Sequence, residues 1–293
     1  MMQKHTSVNK PTPVRVVLIM LDNHMSSTIL RAEKLLRKDI PGLELKAHAA
    51  TDWHNNPTAL ENCLKDIEQG DIIFATMLFI EDHINPILPA LKARREAFDA
   101  MVACMSATEV VGLTKMGRVK MGGKESAPIK FLKNLSGKKK GGSSDGAKQM
   151  RMLRQLPKML KFIPGSAQDL RSYFLVMQYW LSCSDTNLVS LVRQLINKYA
   201  AGPRKAFKGK VPAAAPEIYP DTGLYHPTLE SRMTEDSADI PAIKKPKGTV
   251  ALVLMRAYVL AGDTGHYDGV VAALEARGVN VSPMLAACLG MRP

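Results

Sequence analysis

Apolar and polar residues alternate in blocks along the first 116 positions, and these blocks predict strands and helices in turn. The first apolar run, residues 14–21, contains one polar residue and is typical of a strand buried on both faces. Further strands are predicted at 43–50, 72–78 and 101–106, with helices at 26–38, 57–69 and 85–99. The order β-α-β-α-β-α-β predicts an α/β fold with a doubly wound parallel sheet and right-handed crossovers.

The pattern changes after this block and predicts several further segments. Residues 249–255 read as a buried strand and residues 279–286 as a further strand, with a helix at 267–277 between them. One β-α-β unit cannot bury both faces of its strands, so we expect this second α/β domain to be truncated. The predicted organisation is a disordered tail (1–13), an N-terminal α/β domain (14–116), a basic Gly/Lys-rich linker (117–147), a helical segment (148–202), a Pro-rich connection (203–247) and a truncated second α/β domain (248–293).

The helical segment contains apolar residues at helical spacing, which are more typical of a core-facing stripe than of a ligand site. Ser166–Asp169 resembles a capping box with Asp in the usual Glu position, and Ser184 is predicted to cap the next helix. The stripe consists of Leu170, Tyr173, Phe174, Met177 and Trp180.

Polar residues with acid–base or ligand chemistry follow the predicted strands of the first domain. In parallel sheets the carboxyl ends of the strands share one edge, where ligands bind in open α/β folds. The residues can act as helix caps, because acidic residues favour helix N-termini, or they can bind a ligand or divalent metal. The candidates are Asp22 and His24 after the first strand, His54 after the second, and Glu81, Asp82 and His83 after the third. Their spacing matches no established metal signature, so the metal ligands stay unknown.

The net charge of +13 is concentrated in one segment of the chain. Residues 115–161 hold fourteen Lys or Arg against two acidic residues, which gives +12 and leaves +1 for the remainder. One aromatic residue, Phe131, lies within the segment, whereas single-stranded nucleic acid requires several stacking platforms. The distribution argues against nucleic-acid binding and favours a solvated basic loop. Docking of an acidic protein partner is the other interpretation.

Composition excludes several further classes. No apolar run reaches the roughly 20 residues that span a bilayer, and the N-terminus has no apolar signal region. The four cysteines are widely spaced among apolar residues, which predicts reduced, buried thiols in a cytoplasmic protein. Neither a phosphate-binding Gly-rich loop after a strand nor a GxSxG nucleophile elbow is present, so ATP binding by this chain is not expected.

Four stretches resemble the large H subunit of magnesium chelatase, from its N-terminus inward and closest to the bacteriochlorophyll branch. They cover nearly all of the predicted ordered sequence, and the related large subunit of cobaltochelatase is the alternative within the family. The stretches are MLFIEDHINPILPALKARR (Met77–Arg95), MSATEVVGLTKMGR (Met105–Arg118), Ala147–Ala200, which begins AKQMRMLRQLPKML, and GTVALVLMRAYVLAGDTGHYDGVVAALEARG (Gly248–Gly278).

The resemblance implies a protein that binds protoporphyrin IX and inserts Mg²⁺, with partner I and D subunits of the AAA+ class using ATP to drive insertion. Mg²⁺ dehydrates reluctantly, and the porphyrin must lose two pyrrole protons, so carboxylates or imidazoles near the ring would serve as base and transit ligands. Family members are several times longer than this chain, and their catalytic carboxylates lie beyond it. We therefore expect no catalytic residue here and no metal insertion by the chain alone. A non-catalytic α/β binding or scaffold module is the alternative function.

Overall fold

The first half of the chain folds around a six-stranded sheet in the computed structural model, which describes residues 11–122, 155–182 and 184–286. The predicted linker lies mostly outside these residues, as do Cys183, Cys288 and the tail up to residue 10. The elements of this half are β1 (Val14–Met20), α1 (Ser26–Leu36), β2 (Leu43–Ala49), α2 (Pro57–Gln69), β3 (Ile72–Thr76), α3 (Glu81–Ile84), α4 (Leu88–Arg94), β4 (Ala100–Cys104), α5 (Thr108–Val111), β5 (Lys115–Met116) and β6 (Val119–Lys120).

The strand order β2-β1-β3-β4-β5-β6 makes this a doubly wound sheet. β1 lies between β2 and β3, and all pairs from β2 to β4 are parallel. The chain therefore reverses its direction of winding at β1, and the carboxyl ends of β1 and β3 form the topological switch point. The short antiparallel hairpin β5–β6, which the apolar pattern did not predict, extends the sheet beyond β4.

Helices cover both faces of the sheet, as the fold class predicted. One face packs on α2 and α4 through residues such as Ile19 and Leu91, both fully buried. The other face packs on α1 and on the two long helices α6 (Ser166–Leu181) and α7 (Asp185–Tyr199). Trp180 of α6 packs against Phe74 of β3 with ring centroids 5.2 Å apart. The predicted apolar stripe is thus core, although the limits of a separate helical segment stay a prediction.

Two helices begin at residues whose side chains cap them, whereas two other helix predictions are wrong. Asn56 accepts a hydrogen bond from the Ala59 amide at 3.2 Å, and Ser184 accepts one from the Asn187 amide at 3.3 Å. The helix predicted at 85–99 is too long, because α4 covers only Leu88–Arg94, with a proline in its first turn, and the short helix α3 lies before the predicted range. The predicted capping box at Ser166–Asp169 is also wrong.

The carboxylate of Asp169 binds other partners instead of capping its own helix. It accepts hydrogen bonds from the Arg118 amide at 2.9 Å and from the Tyr199 hydroxyl at 3.0 Å. Among the described residues no side chain caps α6, whose N-cap is Gly165 with φ 79°. Long-range contacts to the hairpin turn and to α7 thus took precedence over the local motif.

A second, four-stranded sheet occupies the C-terminal part, in the order β8-β7-β10-β9. β9 and β10 are parallel, whereas β7 and β8 add antiparallel strands from the segment that the sequence predicted as an irregular Pro-rich connection. The elements are β7 (Thr222–Tyr225), β8 (Met233–Thr234), β9 (Gly248–Met255), α8 (Arg256–Ala261), α9 (Gly265–Glu275) and β10 (Val279–Ala286). The prediction that residues 249–255 are buried is wrong, since most of β9 is exposed. No helix in the described ranges is long and apolar enough to cross a membrane.

Candidate functional site

The carboxyl ends of β3 and β4 are joined by an unusual backbone arrangement. Met77 and Met105, which follow the two strands, have φ values of 61° and 46°, a left-handed region that costs non-glycine residues free energy. The Met77 amide donates to the Met105 carbonyl at 2.9 Å, and the Leu78 amide donates to the Ser106 hydroxyl at 3.1 Å. The strand ends are thus held together where an α/β sheet places its ligands.

Apolar side chains remain exposed immediately after this junction. Phe79 is 56% exposed, Ile80 is exposed to a similar degree, and Met77 is exposed over more than a third of its surface. The start of this run was predicted as part of the third strand, and its exposure was not predicted. The sequence does contain an indication of this exposed surface, because the apolar residues continue beyond the length that the strand requires.

Two buried nitrogen atoms beside this apolar run have no hydrogen-bond partner in the described protein. They are Nε1 of Trp53, a residue that is 7% exposed, and Nδ1 of His83. The two rings meet edge to face with centroids 6.5 Å apart. A buried polar atom without a partner costs about 1–3 kcal/mol, so a hydrogen-bond partner supplied to either nitrogen would stabilise the protein. The indole N–H donates only, while the imidazole nitrogen donates or accepts according to its tautomer.

A second group of candidate residues lies at the carboxyl end of β1. A hydrogen bond from His24 Nδ1 to the Asp22 carboxylate holds the pKa of Asp22 below its usual value. The His24 ring lies 5.1 Å from the ring of Tyr258 in α8, and Tyr258 lies 5.5 Å from the ring of His266. Burial, with the nearby charge of Asp22, raises the pKa of Tyr258. This end of the sheet therefore faces the C-terminal unit.

Hydrogen bonds fix the contact between the two units next to this group. The carbonyl oxygen of Ala261, the last residue of α8, accepts from Thr28 Oγ1 at 2.8 Å and from Arg31 Nη2 at 2.9 Å. Arg31 also donates to both carboxylate oxygens of Asp185, at 2.7 and 2.8 Å. A guanidinium at a helix C-terminus complements the helix dipole, so Arg31 joins α1, α7 and α8 electrostatically.

The structure distributes the six predicted candidates unevenly. It brings Asp22 to His24, and it places His83 on Trp53. Glu81 and Asp82 are exposed in the first turn of α3, and His54 is exposed in the loop before α2. In the ranges that the structure describes, no three His, Cys, Asp or Glu side chains come together as a metal site requires. Binding of a ligand or metal by any of the six therefore stays a prediction.

Comparison with protein families assigns both halves of the chain. A family model described as "Domain of unknown function (DUF3479)" matches residues 15–174, more than half of the chain. The chain belongs to this family. A second model, described as "CobN/Magnesium Chelatase", matches residues 177–292.

Relatives of this DUF3479 chain include the magnesium-chelatase H subunits of two bacteria. The protein of Cereibacter sphaeroides is 45% identical over 292 residues, which is 99% of this chain and 24% of the relative. That of Rhodobacter capsulatus is 43% identical over 285 residues, covering 97% of this chain and 24% of the relative. The chain thus spans about a quarter of the length of these relatives. The resemblance to the N-terminal portion of magnesium-chelatase H subunits is confirmed.

Among solved structures, the catalytic subunit of cobaltochelatase from Mycobacterium tuberculosis is similar with a TM-score of 0.41 and 14% identity. The match covers 95% of this chain and 16% of that chain.

Proposed function

We propose that this chain forms the N-terminal part of the porphyrin-binding subunit of a magnesium chelatase, with protoporphyrin IX and Mg²⁺ as substrates of the assembled enzyme. The identity of 45% to a magnesium-chelatase H subunit supports the proposal. The observation that carries a role for this part of the subunit is the exposed apolar run beside the unpartnered nitrogens of Trp53 and His83. A tetrapyrrole offers a flat apolar face to such a run.

The insertion step itself requires more than this site offers. Mg²⁺ needs several oxygen ligands in near-octahedral geometry. No cluster of three potential ligands occurs in the described ranges. We propose that this part of the subunit contacts the porphyrin and that catalysis belongs to another part of the enzyme. We propose that partner I and D subunits supply ATP-driven work. The free, buried thiols of Cys63 and Cys104 agree with a cytoplasmic location.

Porphyrin titration followed by tryptophan fluorescence tests this proposal. Trp180 lies in the core against Phe74 and stays in every variant as the reporter. The variant Phe79→Ser removes an exposed aromatic ring from the edge, and Phe162→Ser removes an exposed ring elsewhere. Burying most of a phenyl ring stabilises a complex by about 1.5 kcal/mol, so we expect about tenfold weaker binding for Phe79→Ser only.

The outcomes separate a porphyrin-contacting role from a scaffold role. If both variants bind porphyrin as tightly as the unchanged chain, the exposed run that contains Phe79 does not contact the porphyrin. Absence of any porphyrin-dependent quenching would support the alternative, a non-catalytic binding or scaffold module. Porphyrin-dependent Mg²⁺ insertion by this chain, with I and D subunits and ATP added, would overturn the assignment of catalysis to another part of the enzyme.

A further inference from the structure

Among the residues that the structure describes, one apolar face of the second sheet is bare. Val253 of β9 is 53% exposed, and Met255 of β9 and Met284 of β10 are also exposed. Val253 and Met284 are register partners, and Leu224 of β7 pairs with Met284 in the same row. These side chains therefore share one face, because side chains at paired positions point to the same side of a sheet.

In the described residues, helices cover only the opposite face of this sheet. Leu254 and Leu285, which alternate with the exposed positions, are buried with Val259 of α8. Tyr267 of α9 packs against the same cluster. Parallel sheets occur almost only with both faces covered, and the described part of the chain covers only one face of the β9–β10 pair.

The free edge of β9 is the second unusual feature. In the part of the chain that the structure describes, β9 ends the sheet and pairs with β10 only. β9 contains no charged residue, whereas β2, an edge strand of the first sheet, carries Glu44 and Lys46. Charged side chains protect exposed strand edges from pairing. β2 thus has the sequence of an edge strand, and β9 has the sequence of an interior strand.

Topology relates the two features to each other. The crossover from β9 to β10 passes through α9 on the covered face, and the far edge of β10 is already occupied by β7. A further parallel strand that pairs with β9 or β10 therefore lies beside β9, on the opposite side from β10. Parallel crossovers are right-handed in about 98% of cases, so a connection from β10 back across β9 lies on the other face. That is the bare face of Val253, Met255 and Met284.

We propose that β9 and this bare face bind one β-α unit, which consists of a parallel strand on the β9 edge and an amphipathic helix on Val253, Met255 and Met284. The proposal rests on the proposed function, because the occupant is polypeptide from the remainder of the H-type protein. The relatives are about four times as long as their match to this chain. A single β-α unit would pair with the free edge of β9 through its strand and cover the bare face with its helix.

Co-expression with a defined partner tests this surface. The full 293-residue chain carries an affinity tag, and the partner is the part of the Cereibacter sphaeroides magnesium-chelatase H subunit that the chain does not match. We expect the two to co-purify. Val253→Lys places a charge in the buried contact and should reduce the recovered partner about tenfold or more. Val270→Lys, an exposed position on α9, is the matched control and should leave recovery unchanged.

Hydrogen exchange of residues 248–255 gives an independent measurement. Amides of β9 that face its free edge should exchange rapidly in the chain alone and at least about tenfold more slowly in the complex. Both lysine variants should melt at the temperature of the unchanged chain, because both replace exposed residues. Neither measurement uses porphyrin, so failure of the docking proposal is distinguishable from failure of the proposed porphyrin contact.

Three results would overturn the proposal. They are the absence of co-purification, equal recovery with Val253→Lys and Val270→Lys, and β9 exchange that the partner does not change. Sedimentation of the chain alone adds a fourth outcome. If the chain alone is a dimer and Val253→Lys converts it to a monomer, the proposal is overturned, because a second copy of the chain then covers this face.

Discussion

Replacement of Arg204 by Ala should destabilise the chain by removing the centre of a buried ionic cluster. Arg204 follows α7 and donates to both carboxylate oxygens of Asp99, at 2.9 and 3.1 Å, with Asp71 at 3.2 Å. The side chains of Arg204, Asp99 and Asp71 are 17%, 6% and 11% exposed respectively. Asp71 and Asp99 precede β3 and β4, so the cluster binds the end of the helical layer to the amino edge of the sheet.

The magnitude follows from what the substitution leaves behind. Two largely buried carboxylates lose their shared cation, and breaking a buried ion pair from one side costs about 3–5 kcal/mol. Some hydrogen bonds remain, because the Arg15 amide still donates to Asp71 and the Ala201 amide to Asp99. We therefore expect a loss of about 3 kcal/mol in the free energy of unfolding at pH 7, measured by urea denaturation.

The pH dependence gives this prediction a second, more specific readout. Burial raises the pKa of Asp71, and Arg204 acts to lower it. Without Arg204 the folded-state pKa of Asp71 rises further above its unfolded value, so protonation on folding becomes more favourable at acidic pH. The penalty of Arg204→Ala should be complete at neutral pH and should shrink as the pH falls through the raised pKa.

A surface ion pair provides the control for the Arg204 experiment. Lys120 contacts Glu96 at 2.9 Å, and both side chains are more than half exposed. Lys120→Ala should cost less than Arg204→Ala and should show little pH dependence, because solvent screens an exposed pair. A loss for Arg204→Ala no larger than that of the control, or a penalty that grows as the pH falls, would contradict this account of the cluster.

Two further predictions concern buried titratable groups. Burial lowers the pKa of His48 although Asp66 lies 2.9 Å away, so its contribution to stability is present above its unfolded pKa and is lost on acidification. His48→Gln should flatten the fall in unfolding free energy between about pH 7 and pH 5, and an unchanged slope would count against this. Burial raises the pKa of Cys63 and Cys104 to about 12, so native alkylation at about pH 8 should be much slower than in urea. Equal rates would show that the thiols are accessible.

Much of the first sheet was predictable because its strands bury both faces and read as continuous apolar runs. β1 to β4 and the helices between them follow from this pattern, and the caps Asn56 and Ser184 follow from local chemistry. β5–β6 and β7–β8 did not follow, because strands of two to four residues carry too little periodicity. The helix predicted at 85–99 is shorter in the structure, where α4 covers Leu88–Arg94, and the apolar periodicity did not indicate these limits.

The candidate site was only partly predictable. Placement of Asp22, His24 and His83 at one edge of the sheet follows from parallel topology. Their partners do not, since the ring of Tyr258 comes from a unit more than 200 positions away along the chain. The unpartnered nitrogen of Trp53 depends on the packing of the loop after β2 against α3, which periodicity does not describe.

Local sequence was sufficient for the class of the fold, the core strands of the first sheet and the family resemblance, because apolar periodicity and long matches in order are properties of contiguous segments. Packing in three dimensions established which apolar residues are buried. Leu254 and Val253 are adjacent in one apolar run, yet Leu254 is fully buried and Val253 is half exposed. The difference arises because helices cover one face of β9 and the described chain supplies no cover for the other. Burial of a strand depends on its neighbours in space, and those neighbours are set by the complete fold.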